Sequence, residues 1–205
     1  VMRKAFEVGF LTSSVPPEFG GVGLKDLETA IVSEELAWGC AGMYTTMMAN
    51  SLAFTPILLF GTVEQKKRFF APFVKSMAFA SYCLTEREAG SDTSAIKTTA
   101  RKDGAHYVIN GSKCFITNGG VASLYVVFAN SAPQKGSRGL SVFAVPRETP
   151  GVSVGKVEDK FGHRASNTTE LFFEDVRVPA DHLIGREGLG FIVAMRTFDK
   201  TRAAV

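Results

Sequence analysis

The sequence predicts a multi-domain α+β fold: a helical region, an antiparallel β-barrel or sandwich, and the start of a second helical region. Three observations carry this reading. Apolar residues recur at helical spacing up to about Ser76, give way from about Phe79 to short apolar runs between Pro- and Gly-bearing turns, and return to helical spacing after Gly190. The expected boundaries are 1–78, 79–185 and 186–205.

Taken in order, Pro16-Pro17 and Gly20-Gly21-Val22-Gly23 mark a connecting loop. Leu27, Ile31, Glu34, Leu36 and Trp38 then lie in a breaker-free helical stretch, with Gly39 and Gly42 bracketing its end. Residues 43–60 are long and apolar enough to invite a membrane reading, but Thr45, Thr46, Asn50, Ser51, Thr55 and Pro56 interrupt them. A buried helix or helix pair is expected there, with no integral membrane segment. Thr62-Val63-Glu64-Gln65 has the spacing of a capping box, which predicts a helix to about Val74. In the second region, Asn110-Gly111 between two strand-like runs predicts a hairpin. Further strands are expected at 124–129, 140–145, 152–157 and 170–178, and a helix from Phe191 onward to Val205. Their spacing suggests a barrel or sandwich.

A chain of 205 residues, 45% apolar and 21% charged, is ordinary for a globular protein. Its 23 basic and 20 acidic residues leave a charge of +3, too small and too mixed to imply nucleic-acid binding. The basic cluster Lys66-Lys67-Arg68 reads as a solvated helix face. Cys40, Cys83 and Cys114 are widely spaced among apolar neighbours and read as free thiols. His106, His163 and His182 are scattered, so no metal site is expected.

The most informative stretch runs from Tyr82 to Asp92, where an apolar strand breaks into a hydroxyl, charges and a small-residue turn. Gly90 lets another molecule approach the backbone, and Ser91 offers an amide and a hydroxyl to an anionic oxygen. A second segment of similar character, Phe115-Ile116-Thr117-Asn118-Gly119-Gly120, follows soon after. Two strand ends of this kind suggest one ligand gripped from two sides. Alternatives stand beside this: Thr85 and Thr117 also suit a plain strand, and Gly90-Ser91-Asp92 a plain turn. Glu86, Glu88 and Asp92 read as solvated carboxylates or partners of neighbours such as Arg87, not as an acid–base or metal cluster.

The Leu-Thr-Glu-x-x-Ala-Gly-Ser-Asp core from Leu84 to Asp92 resembles the flavin-loop motif of the acyl-CoA dehydrogenase family. Other blocks agree in order and spacing: Ser33-Glu34-Glu35-Leu36-Ala37, Gln65-Lys66-Lys67, Ile109-Asn110-Gly111-x-Lys113, Phe115-Ile116-Thr117-Asn118, Phe173-Glu174-Asp175-Val176-x-Val178-Pro179 and Phe198-Asp199-Lys200-Thr201-Arg202. The last block is most similar to the medium-chain branch. The resemblance covers essentially the whole chain.

It implies FAD as cofactor and an acyl-CoA thioester as substrate, desaturated between its α and β carbons, with electrons passed to electron-transferring flavoprotein. By the same resemblance, Tyr82, Cys83, Leu84, Thr85, Gly90 and Ser91 line one side of the flavin, and Phe115, Ile116 and Thr117 the other. Phe115 stands where many relatives carry tryptophan. Ser91, Asp199, Lys200, Thr201 and Arg202 would meet the acyl-CoA. The family's catalytic glutamate lies in a C-terminal helical domain, and no residue here matches it, so this piece alone is expected to be inactive. The complete protein is expected to be a homo-oligomer, in the mitochondrial matrix if eukaryotic and otherwise in a bacterial cytoplasm. Two other readings are a truncated binding or interaction module of the same fold and a related acyl-CoA oxidase.

Overall fold

The structure, a computed structural model, describes residues 1–202. After a short helix α1 (Met2–Glu7), the chain forms α2 (Asp26–Phe60) and α3 (Val63–Lys75). Helix α2 bends at Cys40, whose φ of −167° and ψ of 105° interrupt it between the two glycines expected to end its first stretch. Its second half is buried, and no helix among the described residues is long and apolar enough to cross a membrane. The capping box of α3 is present: the Gln65 amide donates to Thr62 Oγ1 at 3.2 Å and the Thr62 amide to Gln65 Oε1 at 2.9 Å.

Eight strands follow: β1 (Ala80–Cys83), β2 (Thr99–Asp103), β3 (His106–Thr117), β4 (Leu124–Asn130), β5 (Leu140–Pro146), β6 (Val152–Val157), β7 (Thr168–Pro179) and β8 (Leu183–Ile184). They form one sheet in the order β6-β7-β3-β2-β4-β5-β8, with β1 beside β4. Most ladders are antiparallel, as expected. The departures are β1 and β2, which both run parallel to β4, the latter through the single pair Thr99 and Asn130. Such pairings join strands far apart in sequence and leave no local turn signal.

The expected Asn110-Gly111 hairpin is not formed. Both residues lie inside the continuous strand β3, at a shift of its register against β7. Gly111 has φ 150°, and a Cβ there would lie 2.5 Å from Thr98 Oγ1, so this glycine serves close approach of a neighbouring strand, not a turn. Asn110 is held by β7, donating from Nδ2 to Asp175 Oδ1 at 2.9 Å and accepting the Asp175 amide at 2.8 Å. The turn is made instead by Gly104-Ala105 between β2 and β3, with Gly104 at φ 59°.

The sheet separates two cores. Along β4, Leu124, Val126 and Phe128 face the helices with Phe54, Phe70 and Phe73, while Tyr125, Val127 and Ala129 face the inner layer with Ile109, Phe143 and Phe173. This period-2 division buries β4 on both faces and explains its unbroken apolar run. The rings of Phe54 and Phe73 meet edge to face at 4.9 Å. One buried polar residue locks helices to sheet. Asn50 on α2 donates to the carbonyls of Leu11 and Ala78, both at 3.1 Å, and accepts the Ala80 amide at 2.7 Å. It thereby fixes where β1 begins.

Helix α4 (Gly190–Thr201) closes the described structure against α2 and β5. The expected helix reaches Val205, but residues 203–205 lie outside the described residues.

Candidate functional site

Strand β1 ends at Cys83 and releases a long loop that returns as β2. Two hydrogen bonds lay this strand end against the end of β3: Ser81 Oγ donates to the Thr117 carbonyl at 2.8 Å, and the Cys114 amide to the Thr85 carbonyl at 3.0 Å. The segments Tyr82–Thr85 and Phe115–Thr117 are therefore neighbours, as two walls of one ligand site require.

A cleft of about 560 Å³ opens at the end of the first segment, beyond Cys83; Phe115, Ile116 and Thr117 do not line it. Leu84, Thr85, Gly90 and Ser91 line it from the loop, and Phe198, Asp199 and Arg202 from α4. Positions 198, 199 and 202 share a face because residues three and four apart are neighbours on a helix. The Arg202 guanidinium lies 4.9 Å from the centre of the Phe198 ring and has no ion pair among the described residues. Lys200 and Thr201 fall on a different face. Lys200 pairs with Asp26 at 2.8 Å, and both residues border a second, largely apolar cavity of about 80 Å³ with Phe10, Leu36, Met47 and Met48. The five residues expected to meet substrate are thus divided: Ser91, Asp199 and Arg202 on the cleft, Lys200 and Thr201 on the inner cavity.

The side chains of Cys83 and Ile116 are buried in the inner core, so these two can offer only backbone to a ligand. Burial pushes the Cys83 thiol up, away from thiolate chemistry. Tyr82 packs on Phe128 and Phe198 at 4.9 and 6.0 Å. Its hydroxyl is buried with no hydrogen-bond partner among the described residues, and burial raises its pKa. Phe115 is 65% exposed although aromatic, and holds a left-handed φ of 56°. The hydroxyls of Thr85, Ser91 and Thr117 also make no hydrogen bond among the described residues. A Cβ on Gly90 would meet nothing within 4 Å, so the loop tip is open.

These features fit a flat aromatic cofactor with a phosphate tail. Uncommitted hydroxyls and backbone groups can satisfy polar edges, an exposed aromatic can cover a ring, and an unpaired guanidinium with an open glycine turn suits an anion.

One part of the site escaped the sequence reading. Glu86 is not solvated: it is buried and paired with the fully buried Lys113, Nζ to Oε1 at 2.7 Å. Burial pushes the Glu86 carboxyl up, but the Lys113 ammonium, the Thr98 hydroxyl and the Lys97 amide together hold it below its ordinary value. Burial likewise draws the Lys113 ammonium down, with Glu86 opposing. Arg87 does not pair with its loop neighbours but reaches Glu170 at 2.8 Å. The available signal was a lysine directly before the apolar run Cys114-Phe115-Ile116 of a strand.

Comparison with known proteins agrees with this geometry. The acyl-CoA dehydrogenase N-terminal domain matches residues 1–76 and the acyl-CoA dehydrogenase middle domain residues 81–176. The chain belongs to the acyl-CoA dehydrogenase family. Enzymes of this family are FAD-dependent. The short-chain specific acyl-CoA dehydrogenase of Bos taurus mitochondria is 45% identical over the whole chain, which covers 50% of that protein. A probable mitochondrial medium-chain specific acyl-CoA dehydrogenase of Caenorhabditis briggsae is 40% identical, again over the whole chain and 51% of the relative. Among solved structures, butyryl-CoA dehydrogenase from Megasphaera elsdenii superposes with a TM-score of 0.94 at 40% identity, over 99% of this chain and 54% of that one. Relatives of both short- and medium-chain kind match, so the closing Phe198–Arg202 block does not single out a branch. The chain spans about half the length of the curated relatives it matches.

Proposed function

We propose that the complete protein is an FAD-dependent acyl-CoA dehydrogenase that introduces an α,β double bond into an acyl-CoA thioester and passes the electrons to electron-transferring flavoprotein. The observation that carries this reading is the cleft itself, where the flavin-loop residues Leu84, Thr85, Gly90 and Ser91 meet Asp199 and Arg202 across one space. When bound, FAD supplies the hydride acceptor that no amino-acid side chain provides. This chain's own residues orient. Leu84, Thr85 and Thr117 offer backbone groups and uncommitted hydroxyls to the cofactor's edge, and Tyr82 brings a buried, unpaired hydroxyl beside the cleft. Phe115 offers a ring face. Ser91 and Arg202 suit anionic oxygens, and the apolar cavity behind α4 suits the acyl chain.

The α-proton must go to a carboxylate. No residue of the 205 matches the family's catalytic glutamate, so the chain assayed alone is expected to bind or orient without turnover. The complete protein is proposed to be a homo-oligomer, mitochondrial if its source is eukaryotic and otherwise bacterial and cytoplasmic.

Incubation of the complete protein with butyryl-CoA or octanoyl-CoA and an artificial electron acceptor tests the reading. Flavin bleaching by acyl-CoA and acceptor-dependent turnover are expected from the complete protein, and neither rises above a no-protein control for the 205-residue chain. A complete protein that binds FAD yet is not reduced by any acyl-CoA would overturn it. Rapid reoxidation by oxygen instead of by electron-transferring flavoprotein would make it an oxidase.

A further inference from the structure

The loop that forms one wall of the cleft leaves β1 at Cys83 and rejoins the sheet at Thr99, yet its cleft-facing tip at Gly90 and Ser91 is exposed. A free loop of this length would have no fixed shape, and cofactor recognition requires one. What holds it is buried charge. Lys113 on β3, whose side chain is 0% exposed, donates from Nζ to the Leu84 carbonyl at 3.0 Å and to Glu86 Oε1 at 2.7 Å. Glu86 also accepts the Lys97 amide at 2.7 Å and the Thr98 amide at 3.1 Å, and the Thr98 hydroxyl at 2.5 Å. One carboxylate and one ammonium thus tie the outgoing end of the loop, its returning end and β3 to a single point. Gly111 is part of the device, because only a residue without Cβ lets Thr98 lie against β3.

We propose that the Lys113–Glu86 pair is a positioning element for the cofactor: it fixes the Leu84 carbonyl and the Thr85 backbone in the geometry that receives the flavin, without touching the flavin itself. The inference rests on reading the loop as the FAD wall. A buried ion pair is weak evidence for stability, since well-packed apolar substitutes are often as stable. This one is placed where an apolar substitute would fill space but could not hold the Leu84 carbonyl.

The experiment separates stability from positioning. Lys113→Met, Glu86→Gln and the double variant are made in the complete protein, stripped of flavin and titrated with FAD at a temperature where each is folded, with melting temperature measured alongside. Each single variant leaves one buried group unpaired and is expected to melt lower than wild type. The double variant is expected to regain much of the melting temperature while binding FAD about tenfold more weakly, with an altered visible circular dichroism band. A folded double variant with wild-type FAD affinity and an unchanged band overturns the proposal. Should the double variant fail to fold, Glu86→Gln decides: it keeps the side chain's shape but removes the charge that holds Lys113, so a folded Glu86→Gln protein with weaker FAD binding and an altered band supports positioning, and one with wild-type affinity and an unchanged band overturns it. A wild-type protein that takes up no FAD overturns the functional reading and this one together. Wild-type binding matched by the double variant overturns this one alone.

Discussion

The strand end at Tyr82–Thr85 and the strand end at Phe115–Thr117 lie side by side, yet different forces shape them. The first is held by satisfied polar groups: Asn50 sets its start through three hydrogen bonds, and Lys113 and Glu86 clip its exit. The second is bracketed by left-handed residues, Phe115 at φ 56° and Asn118 at φ 62°. Around it Asn118 Oδ1, Ser166 Oγ and Thr169 Oγ1 are buried without partners among the described residues. Backbone strain of this kind persists only where the surroundings over-determine it, and it clusters at ligand sites. One wall is therefore pinned at both ends by buried hydrogen bonds, with the Tyr82 hydroxyl between them left unpaired, and the other carries backbone strain as well as unmet polar capacity.

Breaking the pinned wall is expected to cost most. Lys113→Met leaves the buried Glu86 carboxylate without its counter-charge and the Leu84 carbonyl without its donor, and should lower unfolding free energy by about 3–5 kcal/mol in urea titration. A loss below about 1 kcal/mol would mean that water reaches the pair and that the wall is not pinned there. The same pair predicts an acid dependence. Glu86 holds a folded pKa below its ordinary value, so it binds a proton less readily folded than unfolded. Its contribution to stability is fully present above the unfolded carboxylate value of about 4.3 and is lost as pH falls through the lower folded value. Glu86→Gln should accordingly flatten the acid limb of stability against pH, and an unchanged limb would show that other carboxylates carry it.

Asn50→Ala attacks the same wall from the helix side. It leaves the Leu11 and Ala78 carbonyls and the Ala80 amide without their partner, at about 3 kcal/mol in total. The strained wall should respond with the opposite sign. Phe115→Gly removes the penalty of an L-residue in the left-handed region, about 1 kcal/mol, and forfeits little burial because the ring is 65% exposed. The variant is expected to unfold at slightly higher urea and to bind FAD more weakly. A destabilised Phe115→Gly would show that the ring packs instead of waiting for a ligand.

How much of this was readable in advance depended on whether the cause was local. The Thr62 capping box, the helix break between Gly39 and Gly42, and the strands β4 to β7 all follow from neighbouring residues and were legible, whereas the two-residue β8 was not. The loop motif likewise picks out Leu84, Thr85, Gly90 and Ser91, which the structure brings to one cleft. Asn110-Gly111 does not turn because the glycine answers to Thr98, thirteen residues back and across a strand. Glu86 was misread for the same reason: its counter-charge sits on β3 and its other donors on the returning end of the loop. The division of Lys200 and Thr201 from Asp199 and Arg202 depends on which neighbours flank α4, which a five-residue motif does not encode.

The smallest expected effect tests whether it is burial, and not charge pairing as such, that sets the first wall apart. The same loop carries a second ion pair, Arg87 with Glu170 on β7, at 2.8 Å, about as close as Lys113 with Glu86. Its arginine side chain is 81% exposed, so solvent screens the attraction and ordering a long side chain offsets much of it. Arg87→Ala should therefore leave the urea midpoint almost where it is and FAD affinity unchanged. Its effect should shrink further as salt is raised, whereas that of Lys113→Met should not, because a buried pair is little screened. An Arg87→Ala variant that weakens FAD binding as much as loss of the buried pair would move the hold on the loop from its base to its outer face, and the contrast between a pinned and a strained wall would need an exposed clip as well.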